Sequence, residues 1–154
     1  MNWDVYFIKM AVLVASKSQD PSSRYGAIIV RHETKNILST GYNGIPRQMD
    51  YIEKYFSRPD KYNYFVHAEQ NAIFNAAREG IRLDGCHIYV IHPPCVECCK
   101  AIVQVGIQAI VYKEPLPESL VAELHLDDWR QKMGAASEIL RQTGVSIRSM
   151  REGT

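Results

Sequence analysis

The chain has 154 residues, 46% of them apolar and 23% charged, a balance that excludes disorder, collagen and a membrane span. Eighteen basic against seventeen acidic residues leave a formal net charge of +1, which gives no electrostatic ground for wrapping nucleic acid or lying on an anionic membrane. This length predicts a single domain over residues 1–154, and Asp4 and Lys9 interrupt the apolar start, so no secretory signal is evident and a cytoplasmic location is expected.

Residues Trp3–Ser16 are apolar almost all round, the pattern of a helix buried in a core. Asp20-Pro21-Ser22-Ser23 breaks it. Tyr25–Arg31 and Ile37–Gly41 are β-branched runs divided by the polar stretch His32–Asn36, which predicts a hairpin. The glycines and proline of Gly41–Pro46 predict an irregular loop. Asp50 and Glu53 signal a short helix that Ser57-Arg58-Pro59 ends, and a second helix is predicted from His67 to Arg78 with Gly80 as its stop. Cys86–Ile91 reads as a strand, Cys95 to about Val105 as a helix and Ile107–Tyr112 as a strand. Pro115 and Pro117 mark a loop, Asp127–Gln142 an amphipathic helix and Val145–Met150 a last strand. Alternating strands and helices make the class α/β, with parallel pairing expected in the second half.

The four cysteines, Cys86, Cys95, Cys98 and Cys99, fall close together, which in a chain without secretory features points to metal or thiol chemistry. Cys86 suits an ordinary buried thiol. Pro94-Cys95-Val96-Glu97-Cys98 sits at a predicted helix start, where backbone N–H groups and the helix dipole favour thiolates, the form that binds zinc. His67, in His67-Ala68-Glu69, supplies a third ligand and leaves the fourth tetrahedral position open to water, as in a catalytic zinc site. A regular helix would point His67 and Glu69 apart, so both can serve one site only over the helix end. There Glu69 stands beside the water without ligating the metal. Two thiolates cancel the charge of Zn²⁺, so such a site benefits from a nearby base. A closed structural site using Cys99 or His92 as a fourth ligand is the competing reading.

Together these two pieces are the signature of zinc nucleobase deaminases. Lys17–Ala27, Gly41–Pro46, Lys61–Ile73 and Tyr89–Gly106 resemble the cytidine and deoxycytidylate deaminase superfamily, and within it the deoxycytidylate (dCMP) deaminases. The resemblance implies a cytidine-deaminase-like three-layer fold, a central mixed five-stranded sheet flanked by helices. It implies zinc on His67, Cys95 and Cys98, with Glu69 as proton shuttle. It also implies substrate contacts at Asn43, the backbone near Ala68, and Tyr64. Arg24, Lys61 and Arg78 are the basic candidates for phosphate. The resemblance places Arg78 near a nucleotide site at a subunit interface, and favours a homo-oligomer, a hexamer, under dCTP or dTTP control. The implied reaction is hydrolytic deamination of dCMP to dUMP and ammonia in pyrimidine deoxynucleotide metabolism. The nearest alternative is the same chemistry on cytosine, cytidine, guanine or tRNA adenosine, with near-neutral charge disfavouring tRNA. The chain departs from the family at Tyr25, at Cys99 and at Lys113-Glu114-Pro115.

Overall fold

The computed structural model describes residues 1–114 and 126–151. The predicted loop at Pro115 and Pro117 lies outside them. In chain order the elements are α1 (Trp3–Ala15), β1 (Gly26–Arg31), β2 (Asn36–Tyr42), a 3₁₀ turn (Glu53–Phe56), α2 (Lys61–Tyr64), α3 (Ala68–Arg78), β3 (His87–Val90), α4 (Val96–Gln104), β4 (Ala109–Glu114), α5 (Leu126–Thr143) and β5 (Ser146–Arg151). One five-stranded sheet runs β2-β1-β3-β4-β5. β1 is antiparallel to β2 and β3, whereas β3, β4 and β5 are mutually parallel.

Period-two alternation along the central strands builds two cores. On one face Ile28, Val30, Tyr89 and Val111 pack under Phe7, Ile8 and Ala11 of α1. On the other Ala27, Ile29, Ile88, Val90 and Ile110 meet α3, α4 and α5 through Ala72, Ile73, Ile102 and Leu140. The result is three layers, the expected fold. No described helix is long and apolar enough to cross a membrane.

Several elements differ from the sequence reading. α1 is not buried all round: Phe7, Ile8, Ala11 and Ala15 face the sheet, while Trp3, Tyr6, Val12 and Leu13 are exposed. A single helix covers that face of the sheet, so its outer stripe has no layer above it. The loop predicted at Gly41–Pro46 begins later, because Gly41 and Tyr42 continue β2 and Gly44 bridges to Val66. β4 starts at Ala109 rather than Ile107, since the Ile107 N–H still donates to Ile102 at the end of α4. Cys86 precedes β3, its N–H turned to Leu83. The single turn α2 was not predicted.

Gly41 matters most to the site. A Cβ there would lie 2.3 Å from the Ala68 carbonyl oxygen and 2.3 Å from the Ala72 nitrogen, so only glycine lets the start of α3 rest on β2. Side chains tie the same contact: Ser39 donates to the Ala72 carbonyl, and Asn71 and Asn75 donate to the carbonyls of Tyr42 and Thr40. At its far end α3 stops as expected, with Gly80 at φ 67°.

Candidate metal centre and adjoining cavity

His67 and Cys95 are the residues immediately before α3 and α4, both extended, with φ/ψ of −71°/156° and −67°/169°. The Gly44–Val66 bridge delivers the chain to His67, whose N–H donates to the Gln70 side chain at 3.3 Å. Pro93-Pro94 delivers it to Cys95, and the Cys99 N–H closes the first turn of α4 on the Cys95 carbonyl at 2.9 Å. Two helix N-termini therefore converge, each contributing its positive end to the same point.

His67 Nδ1 lies 3.5 Å from Sγ of Cys95 and 3.5 Å from Sγ of Cys98. All three donor atoms fall within 4.8 Å of one another. Zinc–sulfur and zinc–nitrogen bonds of about 2.3 and 2.0 Å at a tetrahedral angle put ligand atoms about 3.5 Å apart, so the trio fits that ion. Neither competing fourth ligand joins them. Cys99 is buried with its thiol 3.7 Å from the Pro94 carbonyl, and His92 packs edge-on to Tyr25 at 4.3 Å. Among the described residues the donor set is one nitrogen and two sulfurs, which leaves a tetrahedral position for water.

The electrostatics suit a metal. The Cys98 thiol donates to Cys95 and holds that thiol down to about 3, against the pull of burial and with help from His67. His67 is raised in turn, chiefly by its bond to Cys95, and Cys98 is raised because it carries the shared proton. Burial pushes Cys99 up to about 12, which marks it as an ordinary thiol. Metal binding displaces the protons this cluster holds.

Glu69 lies in the first turn of α3, 3% exposed, and no described residue donates a hydrogen bond to it. Its charge acts on His67, Cys98 and Cys99, so it borders the trio without belonging to it. His67 precedes the helix and Glu69 lies within it, and this break in periodicity lets both serve one point.

A cavity of about 110 Å³ opens from His67, walled by Asn43, Lys61, Arg58, Tyr62 and Phe65. Asn43 is buried and bonded to the protein: its Oδ1 accepts the Tyr25 N–H at 2.8 Å and its Nδ2 donates to the Ser23 carbonyl at 2.9 Å. Ala68 is buried at the first position of α3. Tyr64 is not brought to the wall. One helical turn directs Tyr62 and Phe65, three positions apart, toward the cavity and sets the Tyr64 ring tilted against Tyr55, centroids 4.4 Å apart. Arg24 is exposed, its Nε donating to the Asp20 carbonyl at 3.3 Å, and does not line the cavity. Arg78 ends α3, about 15 Å of helix away from His67. Lys61 does line the cavity, but its ammonium is paired with Asp20 at 2.8 Å. Asp20 and Arg58 line the cavity although the sequence reading does not single them out. The Asp20-Pro21-Ser22 turn, in which Asp20 accepts the Ser22 N–H, was the available signal for the first of them.

Residues 1–114 match the family model of the cytidine and deoxycytidylate deaminase zinc-binding region. The "uncharacterized deaminase in luxG 3'region" of Aliivibrio fischeri is 37% identical over 145 residues, covering 94% of this chain and 91% of that protein. The deoxycytidylate deaminase of Pongo abelii is 40% identical over 118 residues, 73% of this chain, and the match spans 65% of that relative's length. Among solved structures, the dCMP deaminase from the cyanophage S-TIM5 in complex with dCMP and dUMP superposes with a TM-score of 0.72 at 27% identity, covering 97% of this chain and 99% of that one.

Proposed function

The chain belongs to the cytidine and deoxycytidylate deaminases, a family of zinc-binding hydrolytic enzymes, and from that premise we propose that it deaminates dCMP to dUMP and ammonia. The observation that carries this reading is the buried Glu69 carboxylate bordering a three-ligand metal site, from whose His67 a cavity opens. His67, Cys95 and Cys98 hold the zinc, whose Lewis acidity lowers the pKa of water at the site. Glu69 accepts a proton from the attacking water as its oxygen bonds to C4 of the pyrimidine, and passes that proton to N3. It then takes the proton of the new hydroxyl and gives it to the departing amine, so one carboxylate is base and then acid and ammonia leaves as C4 becomes a carbonyl.

The 5′-phosphate preference is supported by Arg58 on the cavity wall, since the Lys61 ammonium there is already balanced by Asp20. The exposed apolar stripe of α1 and the exposed Tyr51 and Ile52 support assembly with further copies. Arg78 at an interface and dCTP or dTTP as effectors follow from the family resemblance alone. Ammonia release from dCMP, CMP, deoxycytidine, cytosine and guanine tests the substrate. The specificity constant for dCMP should exceed that for deoxycytidine by about a hundredfold, the worth of charge-assisted phosphate contacts. Equal activity on both would remove the nucleotide from the proposal.

A further inference from the structure

Asp20 is fully buried and is the most heavily bonded side chain beside the cavity. Its Oδ2 accepts from Lys61 Nζ at 2.8 Å and from Asn43 Nδ2 at 3.4 Å, and its Oδ1 accepts the N–H and the hydroxyl of Ser22, both at 2.9 Å. Lys61 is 6% exposed, donates also to the Ser22 hydroxyl at 3.2 Å, and lies 5.3 Å from the centre of the Phe65 ring. Burial alone would raise the Asp20 carboxyl, yet its bonds from Lys61 and Ser22 hold it below the ordinary carboxylate range. The buried pair is therefore ionic.

Two buried charges are a poor way to hold a fold, since desolvation offsets much of their attraction and an apolar pair of the same volume serves as well. Their location suggests another use. The bonds join three separate segments: the loop before β1, the loop after β2, and α2. α2 has four residues, too few to hold itself as a helix, so its place depends on what it touches. It carries Lys61 and Tyr62 and leads through Phe65 to His67.

We infer that Asp20 is a positioning residue: by gripping Lys61 and Asn43 it sets the cavity wall beside the metal trio in the shape that holds a pyrimidine nucleoside or nucleotide, without touching that ligand. The inference rests on the deaminase reading. It also assigns Lys61 a role different from phosphate binding, because its charge is balanced by Asp20.

The test uses the zinc-loaded protein carrying Glu69→Gln, so that ligand binds without turnover. dCMP and deoxycytidine are titrated calorimetrically into this parent and into the same protein carrying Asp20→Asn with Lys61→Met, a neutral pair of similar bulk that leaves no buried orphan charge. Loss of the preorganised wall should weaken both ligands together by about tenfold, with zinc content unchanged. Unchanged affinity for both would make the pair purely structural and overturn the inference. A loss confined to dCMP would make Lys61 a direct phosphate contact and overturn it equally. A parent that binds neither ligand defeats the deaminase reading, and the inference falls with it. Should the double variant fail to fold, Asp20→Ser with Lys61→Met, likewise neutral and without the grip between the two segments, is read by the same criteria.

Discussion

The metal side and the cavity wall that meets it at His67 are built in opposite ways. On the metal side, His67, Glu69, Cys95 and Cys98 come from two helix starts, and each contributes its group within a few residues of a turn. On the wall side, Asp20, Asn43 and Lys61 come from three segments, and Lys61 is 41 residues from the carboxylate that holds it. The first arrangement is local and the second tertiary. Chemistry that needs fixed donor directions sits on helix ends, which the backbone holds rigid. The wall that would grip a ligand sits on loops and a single turn, where its shape depends on side-chain bonds and can be altered without disturbing the metal.

That division predicts separable damage. Glu69→Gln should retain zinc and ligand affinity but lose about two to four orders of magnitude in kcat, the usual worth of a positioned acid–base group. Steady-state kinetics on the zinc-loaded variant, with metal content by atomic absorption, makes the check. Near-wild-type turnover would remove Glu69 from the chemistry, and loss of zinc would show that the metal side is less self-contained than its geometry implies.

The same division decided what could be read from sequence. His-x-Glu and Pro-Cys-x-x-Cys are short patterns at helix starts, so the family signature they form together marks the three donor residues that the structure brings within 4.8 Å, with Glu69 as the expected base. The parallel pairing of β3, β4 and β5 was legible for a similar reason, because helices between short apolar runs favour parallel crossovers. Lys61 looked like a phosphate candidate because a lysine on its own carries no sign of a buried partner. Tyr64 entered through the resemblance, and the turn of α2 that directs Tyr62 and Phe65 toward the cavity instead leaves no periodic trace in four residues. The apolar surround of α1 overstated its burial: composition records which residues are apolar, not how many layers the fold has to cover them.

Gly41→Ala tests whether the metal side depends on the sheet beneath it. The new methyl would meet backbone atoms of Ala68 and Ala72, which cannot rotate away, so the start of α3 must lift from β2. Overpacking of this kind costs about 1–3 kcal/mol. Urea unfolding should report that loss, and competition with a chelator should show weaker zinc, since His67 and Glu69 move with the helix start. Full stability with unchanged zinc affinity would mean that α3 is set by its own ties, through Asn71 and Asn75, and not by the close approach at Gly41.

The smallest effect belongs to a place remote from both the metal side and the cavity wall. β3 enters at His87 and leaves at Val90 toward Pro94 and Cys95, so His87 stands at the opposite end of the strand from the trio. Its ring stacks on His32 at 4.0 Å, and its buried Nδ1 has no hydrogen-bond partner. Burial, then His32 and Arg148, hold its pKa below the ordinary histidine value, with Glu33 opposing and Lys35 adding slightly. Above about pH 6.5 the ring is neutral folded and unfolded, and it does not affect stability. As pH falls below that value the unfolded chain takes up the proton that the folded chain resists, so stability is present above the unfolded pKa and declines on acidification. The zinc-loaded protein should therefore lose Tm between pH 7 and 5.5 by less than the roughly 2–4 °C that 1 kcal/mol represents at this chain length. His87→Gln should flatten that slope while leaving zinc content unchanged. An identical slope in the variant would assign the acid sensitivity to another group. Zinc loss over the same interval in the wild type alone would show that protonating this end of β3 reaches the metal centre.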